Sequence, residues 1–330
     1  MGIGDLIRLL GDGHYHSGQQ LGDYFGVSRT AIWKQLQKLE AMDLPLEAVK
    51  GRGYRLVDRV DSLNGATIVS HLAAEPRQHL KRLFIEDVVD STNTFLRERF
   101  QQGAGHAEVC LAESQTAGRG RRGKAWSASW GRGLILSMGW RFDGGVAALE
   151  GLSLAVGVKL AEVMENIGVK AGLKWPNDLL IDVKGEWRKL AGILLEVTGD
   201  VEGPCEVVIG IGLNVGLSEA GRRAAGQPAG ALTDVLEAQP SRNQLAAVLI
   251  EALIELLPGF AHDGFAAWQS AWNRRHAYAN REVHIHQGGE GYDARALEVD
   301  AKGNLIVLVD DQRHALTGGE VSIRPSRDAR

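Results

Sequence analysis

Apolar positions recur three and four residues apart through 147–167, where Leu149, Leu152, Val156, Leu160, Val163 and Ile167 fall on one stripe. That spacing matches the turn of an α-helix, so the segment is predicted to be a helix that buries one face. Similar reasoning predicts helices over 92–101 and 242–257. Runs of bulky apolar residues predict strands over 83–88, 107–113, 133–139, 190–197 and 206–213. The stretch SEAGRRAAGQPAGAL between them is loop-like in composition.

Both ends of the chain break this pattern. Near the start, SGQQLGDYFGVSRTAIWKQLQKLEAM offers Ser17 and Ser28 as helix caps, Gly26 as a turn, and Ala31, Ile32, Leu36 and Leu39 at helical spacing. Two short strand-like runs follow in LEAVKGRGYRLV, around Gly-Arg-Gly, completing the outline of a winged helix-turn-helix. After WQSAWNRRH the chain alternates over short runs, REVHIHQ, YDARALEVDAKGNLIVLVDDQRHAL and EVSIRP, as strands of a small barrel do. The expectation is an α+β multidomain chain: a DNA-binding unit over 1–62, a mixed α/β unit over 63–272 and a β unit over 273–330.

Composition narrows the setting. With 37 Lys and Arg against 41 Asp and Glu, a net charge of -4 gives no general affinity for nucleic acid or anionic membrane, so anion binding must be local. Two cysteines, Cys110 and Cys205, are too few for a disulfide-stapled secreted fold. No apolar run reaches the roughly 18 residues of a membrane span, and the start lacks a signal core. A cytoplasmic protein without a membrane partner is expected.

Five stretches carry candidate chemistry. GRGRRGKAW, 118–126, lets the backbone approach a ligand while Arg119, Arg121, Arg122 and Lys124 supply charge for carboxylate or phosphate; a solvated basic loop has the same composition. KWPND, 174–178, projects Lys174, Asn177 and Asp178 from a proline-stiffened corner that also suits an ordinary turn. RKLAGILLEV places Lys189 before an apolar strand, where Gly192 leaves room beside the backbone. VVIGIGLNV clears one strand face at Gly210 and Gly212, and DSTNTFL puts Ser91, Thr92 and Asn93 where a strand hands over to a helix, as a plain cap also would.

Taken together and in this order, these stretches resemble the biotin protein ligase family, and the N-terminal unit extends the resemblance to its bifunctional ligase and biotin operon repressor members, over about residues 5–325. The resemblance implies a biotin/lipoate ligase-like central domain and a C-terminal SH3-like barrel. It implies that Ser91, Thr92, Asn93 and Gln115 bind the polar end of biotin, and that Arg119, Gly120 and Arg121 close over its carboxylate in a loop fixed by ligand. Lys189 would stand by the reacting carboxylate and phosphate, Gly192 and Gly210 would line the apolar wall, and Asn214 would lie near the adenylate. Biotin, ATP and Mg2+ would be consumed or required, with Arg121, Lys189 and Asp178 as the catalytic set and no metal site in the protein itself. The implied partners are biotin carboxyl carrier protein, operator DNA and, with adenylate bound, a second copy of the chain.

For DNA, residues 28–59 hold seven basic and four acidic side chains. Ser28, Arg29, Thr30, Trp33 and Lys34 would approach bases or phosphates from the second helix, and Lys50, Arg52 and Arg55 would grip backbone from the wing. A ligand-sensing repressor without ligase activity, and a ligase that no longer reads DNA, remain open alternatives. The sequence also departs from the family. No tryptophan occurs in 221–232 to pack against adenine, and DVKGEW, 182–187, reads as a lengthened turn. His284 and His286 alternate on one strand without a third ligand at a recognisable spacing, and Trp126 and Trp175 read as packing residues.

Overall fold

The computed structural model describes residues 2–200, 202–287, 290–318 and 322–325. Its N-terminal unit runs α1 (Ile3–Leu10), α2 (Gly18–Phe25), α3 (Arg29–Ala41), β1 (Leu46–Val49) and β2 (Gly53–Leu56). Ser17 caps α2 by accepting from the Gln20 amide at 3.1 Å, Ser28 caps α3 through the Ala31 amide at 3.2 Å, and Gly26 ends α2 with φ 67°. β1 and β2 pair antiparallel from Leu46 opposite Leu56 to Val49 opposite Gly53, forming the wing.

Next come α4 (Gly65–His71), α5 (Ala74–His79), β3 (Arg82–Val89), α6 (Thr92–Gln101), β4 (Glu108–Gln115), β5 (Gly133–Phe142), α7 (Leu152–Asn166), β6 (Ala171–Lys174), β7 (Asp178–Val183), β8 (Glu186–Gly199), β9 (Cys205–Asn214), α8 (Glu219–Ala224), α9 (Arg242–Asp263) and α10 (Gln269–Arg274). The seven strands form one sheet in the order β3-β4-β5-β9-β8-β7-β6, parallel only between β3 and β4. Strand alternation divides its two faces. Val109, Leu111, Val207 and Ile209 join α7 and α9 in the main core, whereas Cys110 and Val208 pack with Leu96 and Phe100 of α6. Gly210 and Gly212 continue the face of Val208, so the sheet loses its side chains beside α6.

The C-terminal unit is a five-stranded antiparallel sheet: β10 (Glu282–Gln287), β11 (Glu290–Val299), β12 (Leu305–Val309), β13 (Gln312–Leu316) and β14 (Ser322–Pro325), in the order β13-β12-β11-β10-β14. Its apolar face shares the main core through residues such as Val283, Ala296 and Val307. The Trp175 indole donates to Gly303 O at 2.9 Å, joining the two units.

Several sequence expectations need correction. The helix expected over 147–167 begins at Leu152, because Gly151 takes φ 76° behind a short 3-10 turn, Val146–Leu149. The last long helix runs through Pro258 to Asp263, where it was expected to stop at 257. The supposed loop 218–232 contains α8, capped by Ser218. β6 and β7 had no expected counterpart, each being too short to show a period. DVKGEW closes a tight hairpin: Val183 pairs with Glu186 across a two-residue turn, Lys184 at φ 56° and Gly185 at φ 87°. The boundary expected after residue 272 falls inside α10.

The units are fastened side chain to side chain. Trp130, from the segment leading into β5, is 2% exposed and sits in the N-terminal hydrophobic cluster with Leu6, Ile32, Leu36 and Leu56. Arg8 pairs with Asp87 at 2.8 Å and Arg132 with Asp58 at 2.9 Å. The linker is held from α9: Arg242 donates to Asp61 O (2.8 Å), Gly133 O (2.9 Å) and Glu113 Oε2 (2.7 Å), while Glu113 Oε1 accepts from the Leu63 amide at 2.7 Å. Among the described residues α9 is the one helix long and apolar enough to cross a membrane, and 61% of its most apolar window is buried inside the protein.

Candidate functional site

A cavity of about 500 Å3 opens on the face that Gly210 and Gly212 leave bare. One end is polar. Gln115 Oε1 accepts from the Thr92 amide (2.8 Å) and hydroxyl (3.1 Å), and Ser137 donates to Asn93 Oδ1 at 2.6 Å. Ser91 caps α6, its Oγ 3.5 Å from the Thr94 amide, and Asp90 Oδ1 accepts from the Ser91 amide at 2.6 Å. The Asn93 side-chain nitrogen is buried with no hydrogen-bond partner among the described residues. A buried donor without an acceptor costs about 1–3 kcal/mol, which a ligand carbonyl or ring heteroatom would relieve.

The wall depends on missing side chains. A Cβ on Gly210 would lie 2.3 Å from Asn93 Oδ1, and one on Gly212 would lie 2.2 Å from the Trp126 ring. Trp126 thus rests on Gly212 as part of the cavity wall, with the Lys189 ammonium 5.5 Å from its ring centre. Trp175 also borders the cavity, but it is 2% exposed and packs in the core.

The other end is cationic. Arg119, Arg121, Arg122, Lys124, Lys174 and Lys189 all line the cavity, with Asp178 as the one carboxylate among its described lining residues. The 118–126 segment folds over it as a small loop: Gly120 N donates to Lys124 O (2.7 Å) and Trp126 N to Gly118 O (2.9 Å), with Arg122 at φ 59°. Arg119 bonds the Thr94 hydroxyl at 3.0 Å and pairs with Glu196 at 3.2 Å. Arg121 donates to Asn177 Oδ1 at 3.4 Å. Burial, then nearby Arg122, pull the Arg121 guanidinium below its ordinary pKa, and Asp178 opposes them. Lys189 meets Asp178 at 2.6 Å, while its backbone pairs with Pro228 and Gly230 on the far side. Asn214 lines the cavity and turns its amide to Gly230 O (3.1 Å) and Lys189 O (3.4 Å).

Every residue expected at the ligand site therefore borders this one cavity: Ser91, Thr92, Asn93, Gln115, Arg119, Gly120, Arg121, Asp178, Lys189, Gly192 and Asn214. Sequence reasoning missed Ser137, a lone hydroxyl in the apolar strand LILSMGW that bonds Thr92 and Asn93 behind the cavity, gave Lys174 no assigned role, and read Trp126 as a packing residue. The 221–232 segment, which has no tryptophan, offers Gly221, Ala224, Ala225, Gly226, Gln227 and Ala229, mostly small residues, and Arg222 there is tied to Asp234 at 2.5 Å.

On the N-terminal unit, Ser28, Arg29, Thr30, Trp33 and Lys34 are exposed along the start of α3, Trp33 at 52%. Lys50 and Arg52 are exposed on the wing. Arg55 is partly committed, paired to Glu47 at 2.6 Å and stacked with Arg52 on the Tyr15 ring. His284 is paired with Asp293 at 2.9 Å rather than with a third metal ligand.

A winged helix-turn-helix joined to a mixed sheet with a glycine-cleared, cation-rimmed cavity defines the class of ligases that carry a DNA-binding unit. Residues 85–214 match the biotin/lipoate A/B protein ligase family and residues 5–55 an HTH domain. The chain belongs to the biotin protein ligase family. It is 37% identical over 322 residues to the bifunctional ligase/repressor BirA of Escherichia coli (strain K12), covering 97% of this chain and 96% of that one. It is 34% identical over 245 residues to the biotin--[acetyl-CoA-carboxylase] ligase of Mycobacterium tuberculosis (strain ATCC 25618 / H37Rv), covering 70% and 85%. The biotin protein ligase of Aquifex aeolicus, solved with biotin and ATP, superposes with TM-score 0.63 at 25% identity over 74% of this chain and 100% of that one.

Proposed function

We propose that this chain is an ATP-dependent biotin protein ligase that makes biotinyl-5'-AMP and transfers biotin to a lysine of a biotin carboxyl carrier protein. With adenylate bound it pairs with a second copy and represses biotin biosynthesis genes. The observation that carries the ligase reading is the two-ended cavity: an unpaired buried amide donor at one end, six basic side chains around one carboxylate at the other. Biotin has matching ends, a ureido carbonyl and a carboxylate.

In the first half-reaction a biotin carboxylate oxygen attacks the α-phosphorus of ATP and pyrophosphate leaves. Arg121 and Lys189 stabilise the charge that builds on the phosphoryl oxygens, Asp178 holds Lys189 in place, and Arg119 with Gly120 brings the loop over the carboxylate. Mg2+ arrives as the counter-ion of ATP. No group of three or more His, Cys, Asp or Glu among the described residues is arranged to hold a metal, and Asp178 is already shared by two lysines. The cavity wall formed by 221–229 receives adenine.

Incubation with labelled biotin, ATP and a carrier domain is expected to label the carrier; no label from the wild-type chain would end this reading. For repression, operator DNA should bind more tightly when biotinyl-AMP is added, and an unchanged affinity would remove the switch. Gly210→Ala is expected to raise the biotin KM roughly 5- to 150-fold, since overpacking against Asn93 costs about 1–3 kcal/mol, with little change in kcat. Steady-state kinetics would check it, an unaltered KM being the contrary result.

A further inference from the structure

The transfer half-reaction needs a group that removes a proton from the incoming lysine. Asp178 is poorly placed for this, because its Oδ1 is already held by the Lys189 ammonium at 2.6 Å and its Oδ2 faces the Lys174 nitrogen at 3.5 Å. The two contacts are unequal. Lys189 is the close partner, whereas Lys174 has a long contact and only 15% of its side chain exposed. Lys174 is directly opposite Asp178 across the β6–β7 hairpin, so register fixes both on one face, and both line the cavity.

We propose that Lys174 is the proton acceptor for the attacking amine, an inference that rests on the ligase reading above. The acceptor lysine arrives as an ammonium, with an ordinary pKa of about 10.4 and no lone pair to offer. The neutral Lys174 amine takes one of its protons. The freed lone pair forms the C–N bond at the acyl carbon of biotinyl-AMP, and the C–O bond to phosphate breaks with its electron pair leaving on AMP. The second nitrogen proton passes to solvent as the amide forms. Lys174, now an ammonium, is steadied by Asp178 until it returns its proton to water.

The surroundings suit this role. Burial first, then Lys189 and Lys124, draw the Lys174 ammonium below the ordinary lysine range, and Asp178 opposes them. The Asp178 carboxylate also favours the protonated forms of Arg121 and Tyr278, so its charge acts on more than the two lysines. The sign follows: Lys174 is neutral above its depressed pKa, so transfer rises with pH through that value and then levels off.

The test is single-turnover transfer from synthetic biotinyl-AMP, at saturating concentration, to a carrier domain across a range of pH. Lys174→Ala is expected to slow transfer by about 10²–10⁴-fold near neutrality. Its rate should go on climbing about tenfold per pH unit toward the pKa of free lysine, near 10.4. Trimethylamine, which accepts a proton but cannot become a stable amide, should restore part of the rate. Lys174→Arg puts a permanent positive charge there that cannot serve as a base, and it should remain slow. Transfer by Lys174→Ala at the wild-type rate, absence of trimethylamine rescue, or full activity of Lys174→Arg would overturn the assignment and leave Lys174 as a charge that positions Asp178. Failure of the wild-type chain to label the carrier would instead strike the ligase reading itself.

Discussion

Lys189→Met is expected to slow adenylate formation by roughly 10²–10³-fold, the loss seen when one preorganised donor is removed from a developing anion. Three features make the effect large. The ammonium lines the cavity with 16% of its side chain exposed, so water substitutes poorly for it. Its direction is fixed by Asp178 at 2.6 Å and by backbone pairing to Pro228 and Gly230, so little reorganisation is needed as charge develops. The neighbouring Lys174 already shares Asp178 and does not replace it. Biotin-dependent exchange of pyrophosphate into ATP measures this half-reaction apart from transfer. Exchange at the wild-type rate would remove Lys189 from the catalytic set.

The second large effect concerns stability. Arg242 and Glu113 form an ion pair with side chains 0% and 1% exposed, and removing one partner of such a pair costs about 3–5 kcal/mol because the other charge is left buried. Arg242→Ala also frees Asp61 O and Gly133 O, which held the linker and the start of β5. Denaturant unfolding should show a lower midpoint with little change of slope. The double change Arg242→Met with Glu113→Leu removes both charges and should recover part of the loss, the Leu63 amide and the two carbonyls being left unpaired. An unshifted midpoint for Arg242→Ala would show that the buried pair contributes nothing.

The sequence revealed the site better than it revealed its frame. Gly210, Gly212 and the Arg-Gly loop were legible because glycine and arginine clusters are unusual on a buried strand and beside it. Ser137 was hidden, since a lone serine in LILSMGW looks like one polar residue on an apolar strand, and its role depends on Asn93 lying opposite across a strand-to-helix junction. β6 escaped detection because four residues cannot display a period, and its place comes from pairing with β7. The start of α7 was misplaced because apolar spacing continues through Gly151, whose backbone conformation interrupts the helix. No local pattern announced that Arg242 would pair with Glu113, residues 129 positions apart in the chain.

Trp130 has an implication for dissecting this molecule. The DNA-binding unit borrows its largest buried ring from the neighbouring unit, four residues after the ligand loop ends at Trp126. A gene truncated at codon 62 would encode that unit with a socket where the indole belongs, a loss comparable to the about 3–5 kcal/mol of emptying a tryptophan site. The repressor half is not a detachable cassette, and swapping it onto another ligase would mean transplanting its keystone as well.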